Sequence, residues 1–186
     1  MKPVIIGNSG AHSGAGKTTF ATLMLQRLKG WGAIKYTKTA IYCSVTDDVA
    51  TLSEEGKDTK RLLDSGPERV LWVQSPHAHL AEILLMAVDE LHGLEGILVE
   101  GNSAVEFLKP DIIVFVSGDE KEFKEGAENI MRVADVVIYH KTPPNGIPEH
   151  SQAFRWDDIK RCVEYVIGLV QGKKESRSQG FKESRG

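Results

Sequence analysis

The chain has 186 residues, of which 41% are hydrophobic and 26% charged, and its formal net charge is -3. That length suits one domain with a full hydrophobic core, and the composition is that of a soluble globular protein with a small-molecule or protein partner. The acidic excess argues against nucleic acid as the main partner, because a phosphate backbone selects for a strongly positive field.

Residues 4–6 predict a first strand, and the glycine-rich turn after it leads into a helix over 17–29. A short second strand is expected at 33–36. A brief helix follows over Asp58–Asp64, opened by GKDT and stopped by Ser65, Gly66 and Pro67. Residues 70–73 read as the next strand. Leu80, Ile83, Leu84, Ala87, Val88 and Leu91 then recur at helical spacing as a single apolar stripe, and Gly93 supplies its stop. Three apolar strands come next, at 97–99, 112–116 and Val136–Tyr139. They lack polar alternation, as expected when both faces of a parallel sheet are covered. A helix over 122–133 connects the last two strands. The final helix spans 156–170, with Ile159, Val163, Val166, Ile167 and Val170 on one face. Residues 172–186 are polar, with Phe181 their one large apolar side chain, and are expected to form a mobile tail on a single domain over 1–171.

Cys43 and Cys162 are too far apart, and too few, for a disulfide framework or a cysteine zinc site, so both thiols are expected reduced. The start, MKPVIIGNSG, turns polar too soon for a signal-peptide core, and the apolar stretches at 83–88 and 112–116 are too short to span a bilayer. A cytoplasmic location without a membrane partner follows as the expectation.

Residues 11–18, AHSGAGKT, follow the first strand and run into the first helix. The spacing is that of the phosphate loop G-x-x-x-x-G-K-[ST], with Ala11 in the first glycine position and Gly16, Lys17 and Thr18 in the others. A small residue suffices at Ala11, because the requirement is a tight turn and close backbone approach. Gly14 and Gly16 let successive backbone N–H groups face one anion, with Ser13, Gly14, Ala15 and Gly16 expected to bind nucleotide, and the following helix dipole adds to the attraction. Lys17 is expected to bridge the β- and γ-phosphates of a nucleoside triphosphate. Thr18 is expected to ligate Mg²⁺, and Thr19 to sit near the α-phosphate. His12 either donates to a γ-phosphate oxygen or a second substrate, or points to solvent. Together with the alternating elements, this predicts an α/β, three-layer P-loop NTPase fold with a mostly parallel sheet covered by helices.

Such a loop needs an acidic partner to hold the magnesium shell or orient the attacking group. Glu100 ends the apolar strand 97–99 before Gly101, and strand carboxyl ends are where open α/β sheets bind ligands. Lys17 and Glu100 are therefore the expected catalytic pair, with Thr18 and Glu100 serving the metal. Asp47 and Asp48 form a second acidic candidate in a loop, and Asp58 fits a helix N-terminus by capping alone. His77 and His79, at i and i+2, point to different faces, which argues against a shared metal, and His92 can meet carbonyls at the end of its helix. Trp31, Trp72 and Trp156 are expected to pack, and Pro143, Pro144 and Pro148 to stiffen a surface loop able to cover the base.

Three segments carry a family likeness: SGAGKTT at 13–19, GKDT at 56–59 with RLLDSG at 61–66, and LVEG at 98–101. With these the chain resembles the MobB family, molybdopterin-guanine dinucleotide biosynthesis protein B. More broadly it is similar to the P-loop group containing dethiobiotin synthetase and the nickel-insertion GTPases. The likeness spans roughly residues 1–139, and KYTK at 35–38 matches in part a Lys-His-Thr-His strand end of that family. It implies nucleotide at the P-loop, weak intrinsic hydrolysis, a homodimer, and a partner enzyme of molybdenum-cofactor biosynthesis. It also implies that Lys35 and Asp58 lie near a second ligand or the dimer interface. Guanine is often read by N-K-x-D after a late strand, but here that place reads His140, Lys141, Thr142, Pro143. Lys141 can still pack on a base, whereas the carboxylate for guanine's N1 and N2 protons is missing, so GTP and ATP both stay open. The segment after Glu100 also differs from the family's phenylalanine-lysine continuation. The alternative is therefore an ATP-dependent small-molecule kinase or a dethiobiotin-synthetase-like ligase, with Lys35, Lys38 and Asn102 lining an acceptor pocket. A third reading is a regulatory module that holds nucleotide without turnover.

Overall fold

The apolar runs pair side by side into one sheet. A computed structural model describes residues 2–119 and 123–183, with side chains described to residue 179. The strands are β1 (Val4–Gly10), β2 (Trp31–Lys38), β3 (Ser44–Thr46), β4 (Arg69–Ser75), β5 (Gly96–Glu100), β6 (Ile112–Gly118), β7 (Val136–Tyr139) and β8 (Gln152–Arg155). The helices are α1 (Lys17–Leu25), α2 (Val49–Leu52), α3 (Asp58–Asp64), α4 (Leu80–Glu90), α5 (Asn102–Leu108), α6 (Ala127–Met131) and α7 (Ile159–Glu183). The sheet order is β3-β4-β2-β5-β1-β6-β7-β8, parallel except for β3, which runs antiparallel to β4 at one edge. The expected three-layer α/β fold with a mostly parallel sheet is what forms.

Successive residues of the strands point to opposite faces and feed separate cores. Ile6, Ala33, Leu98 and Val114 meet Phe20, Met24 and Leu25 of α1 and Val163 and Val166 of α7 on one face. Ile5, Ile34, Ile97 and Val99 meet the stripe of α4, Leu80, Ile83, Leu84 and Ala87, on the other. Phe115 and Val137 continue that second layer with Val105 of α5 and Ile130 and Met131 of α6. Each fully buried Val, Leu, Ile, Phe or Met side chain contributes about 1.5–3 kcal/mol relative to exposure. Gly96 opens β5 because the Trp31 ring fills the place of its side chain.

Several boundaries differ from the sequence expectation. β1 runs to Gly10 rather than stopping at residue 6, because Asn8, Ser9 and Gly10 keep their parallel register with β6 despite their polarity. α1 stops at Leu25 rather than 29, since the N–H groups of Gln26, Arg27 and Leu28 close the last turn and Leu28 folds back into the core. The helix expected over 122–133 is described only as α6, its predicted first residue lying outside the described residues. The last helix opens with a 3₁₀ turn, Trp156–Asp158, and continues past 170 to Glu183. The segment expected as a tail from 172 is thus helical to that point. Lys174 pairs with Glu95 at 2.6 Å, and Arg177 pairs with Asp111 at 2.6 Å and donates to the Lys2 carbonyl at 2.8 Å. Residues 184–186 of that segment lie outside the described residues. Among the described residues, no helix is long and apolar enough to cross a membrane.

Candidate functional site

β1 lies between β5 and β6: the chain lays β2, β3 and β4 on one side, returns to place β5 beside β1, and then continues with β6, β7 and β8 on the other side. The strand order therefore reverses at β1, and a crevice opens at its carboxyl end, where open α/β sheets bind ligands. The loop 11–16 occupies that crevice. The Ala11 N–H donates to the Val116 carbonyl at 2.9 Å, and the Lys124 N–H donates to the Ala11 carbonyl at 2.8 Å, which ties the loop to β6 and beyond. Gly16, at φ +108°, turns the chain into α1, and a β-carbon there would stand 2.8 Å from the Trp156 ring.

Lys17 curls back under the loop, its Nζ donating to the His12 carbonyl at 2.6 Å. Burial pushes its ammonium below the usual lysine range, against the pull of Glu100. Thr18 is buried beside it and donates its hydroxyl to Glu100 Oε1 at 2.8 Å. Glu100 ends β5 with no exposed surface, and the same oxygen accepts from Lys35 Nζ. Lys35, on β2 directly opposite Glu100, also donates to Asp58 Oδ2 at 2.9 Å. Burial works against the Lys35 charge, yet Glu100 and Asp58 outweigh it and hold the ammonium above its usual range. Asp58 is held below the usual carboxylate range because hydrogen bonding and charge from Lys35, with Thr18 and Arg61, outweigh its burial. A small pocket of about 180 Å³ collects Ser13, Gly14, Gly16, Lys17, Thr18, Thr19, Lys35, Asp58, Arg61 and Glu100.

Mg²⁺ takes oxygen ligands, keeps several waters, and is held by one or two carboxylates together with substrate phosphates. The Thr18 hydroxyl and the Glu100 carboxylate are such donors, and the fully buried Glu100 Oε2 has no hydrogen-bond partner among the described residues. These residues fit the ion. Among the described residues, no group of three or more His, Cys, Asp or Glu could hold a metal by itself, so waters or phosphate oxygens would complete any such shell.

Other predicted residues stand elsewhere. Asn102, the first residue of α5, spans the Gly10 backbone: its Oδ1 accepts from the Gly10 N–H at 3.0 Å and its Nδ2 donates to the Gly10 carbonyl at 2.9 Å. It braces the start of the loop. Lys141 is highly exposed, 4.0 Å from Asp119, and lines a separate cleft of about 890 Å³ with Pro143, Pro144 and Phe123. Asp48 caps α2 through the Thr51 N–H at 2.8 Å, and Asp47 pairs with Arg69 at 2.7 Å, so neither lines the phosphate pocket. The His12 ring lies against Gly118 at the end of β6.

Sequence reasoning missed the contacts of three residues. Asn8 Nδ2 donates to the Lys17 carbonyl at 2.8 Å, which fixes the first turn of α1 to β1. A polar residue inside an otherwise apolar strand is the signal that marks it. His140, in the place of the first residue of N-K-x-D, approaches the Ala15 carbonyl at 3.3 Å and stacks on Trp156 with ring centroids 4.7 Å apart. Arg61 Nη2 donates to Thr19 Oγ1 at 2.7 Å.

A glycine-rich loop at the carboxyl end of the central parallel strand, entering a helix through Gly-Lys-Thr and faced by a buried glutamate, defines the class: the fold is that of the P-loop NTPases. No protein-family model and no curated protein matches the chain. Among solved structures it is similar to a plasmid partition protein from Borrelia burgdorferi, at 12% identity and a TM-score of 0.47 over 95% of this chain and 100% of that one. It is also similar to a ParA family ATPase from Chlorobium tepidum TLS, at 12% identity and a TM-score of 0.40 over 88% of this chain and 81% of that one. Likeness at that level says nothing of ligand or activity, and the fold rests on the strand order and the loop.

Proposed function

We propose that the chain binds a nucleoside triphosphate, GTP or ATP, together with Mg²⁺, and hydrolyses it slowly as an accessory factor in molybdenum-cofactor biosynthesis. The observation that carries the nucleotide reading is the convergence of Lys17, Thr18 and Glu100 at the carboxyl end of β1. The loop amides of residues 13–16 and the Lys17 ammonium bind and orient the phosphates. Thr18 and Glu100 hold the ion, which when bound neutralises charge on the phosphate oxygens. Glu100 also positions the attacking water. The MobB-like role draws on the segments 13–19, 56–66 and 98–101. A homodimer, a partner enzyme of the same pathway and a cytoplasmic setting belong to the same proposal, as does Lys141 as a side chain that packs on the base.

The second reading, a small-molecule kinase or dethiobiotin-synthetase-like ligase, is favoured by one feature. Lys35 and Asp58 face the pocket beside Glu100, where an acceptor would approach the terminal phosphate. Rate separates the two. Phosphate release from purified protein is expected to run far below the roughly 1–100 s⁻¹ of kinases and to be unmoved by small metabolites. A metabolite that raises turnover into that range and carries away the phosphoryl group contradicts the accessory role and establishes the transferase.

A further inference from the structure

Arg61 belongs to the stretch 56–66 and is not part of the buried core. α3 buries Thr59 and Leu62, whereas the Arg61 side chain is 49% exposed and reaches over the start of α1. Its Nη2 donates to Thr19 Oγ1 at 2.7 Å, while Nη1 makes a long i,i+3 ion pair with Asp58 at 3.7 Å, beyond hydrogen-bond distance. Asp58 spends its short contact on Lys35, which is shared with Glu100. Of the three cations lining the phosphate pocket, Lys35 is thus neutralised by two carboxylates. Lys17 and Arg61 instead donate at hydrogen-bond distance to uncharged oxygens, the His12 carbonyl and the Thr19 hydroxyl. A guanidinium is a planar fork matched to phosphate oxygens and is only partly used by one neutral hydroxyl.

We propose that Arg61 is a phosphate ligand supplied by the chain itself, closing on the phosphate nearest Thr19 when a nucleotide occupies the P-loop. The inference rests on the nucleotide-binding reading of the site. Thr19 is the loop residue expected beside the α-phosphate, so the contact would be made to diphosphate and triphosphate alike and would strengthen binding rather than turnover alone. Asp58, itself a hydrogen-bond acceptor for Lys35, keeps the guanidinium near the pocket without capturing it.

Calorimetric titration of wild type, Arg61→Ala and Arg61→Lys with GMPPNP, GDP, AMPPNP and ADP in the presence of Mg²⁺ tests this. Arg61→Ala is expected to weaken the preferred diphosphate and its triphosphate analogue by the same factor, about tenfold to a hundredfold, the range of a lost charge-assisted hydrogen bond. Arg61→Lys recovers only part of the loss, because a point charge lacks the fork. Guanidinium ion at sub-denaturing concentration restores part of the alanine variant's affinity, which a merely structural role would not allow. Wild-type affinity in Arg61→Ala, or a loss confined to the triphosphate, overturns the inference while leaving the P-loop reading intact. Absence of nucleotide binding by the wild-type chain overturns both.

Discussion

Lys17→Ala is expected to weaken nucleotide binding by about 10²–10³-fold, the loss of two charge-assisted hydrogen bonds to adjacent phosphates. The geometry makes the effect large. The ammonium is already desolvated, so burial lowers its affinity for its own proton, and at hydrogen-bond distance it has the neutral His12 carbonyl at 2.6 Å. An arriving phosphate offers full negative charge to a cation that has already left most of its water. The same reasoning fixes the sign of the stability effect. A lysine whose charged form is disfavoured by folding detracts from stability at neutral pH, so its removal should leave the melting temperature unchanged or higher. Calorimetry and a thermal melt of the one variant check both halves. Unaltered nucleotide affinity would remove Lys17 from the phosphate site.

Glu100→Gln separates binding from turnover. The glutamate is fully buried, its Oε1 accepts from Thr18 and Lys35, and its Oε2 stands without a partner among the described residues. Glutamine has the same shape and keeps an acceptor oxygen for Thr18 and Lys35, and Lys35 retains Asp58 at 2.9 Å. The pocket should therefore keep its form and hold nucleotide with an affinity close to wild type. What disappears is the negative charge that serves the ion and the water, and turnover should fall by about 10²–10⁴-fold, the usual contribution of a positioned base. Hydrolysis at the wild-type rate in Glu100→Gln would exclude this carboxylate from the mechanism.

The core of the site was legible because its residues are set by local geometry. A glycine-rich turn between an apolar strand and a helix leaves few roles for Lys17 and Thr18. A carboxylate ending a fully apolar strand must face the crevice where strands end, and Glu100 does. Lys35 and Asp58, which the likeness assigned to a second ligand or the dimer interface, hydrogen-bond to each other although they lie 23 positions apart in the chain.

What escaped the sequence depends on contacts between distant segments. β3 and β8 are short edge strands of three and four residues, with too little apolar periodicity to announce themselves. α5 begins where Asn102 is drawn to the Gly10 backbone, a pairing that local propensity cannot foresee. The polar end of α7 reads as a tail because it has almost no apolar face. It stays helical alongside ion pairs from Lys174 and Arg177 to residues on other elements. Trp156 was expected to pack, but nothing in its neighbours places it against Gly16 and His140.

The most direct measurement is isothermal titration of the purified chain with GTP and ATP analogues, with and without Mg²⁺. Saturable binding of one of them, strengthened by Mg²⁺, is the predicted result, and a preference for GTP would further support the MobB-like role over the kinase or ligase. Well-folded protein that binds neither analogue in the presence of Mg²⁺ would contradict the assignment of residues 11–18 as a nucleotide phosphate loop.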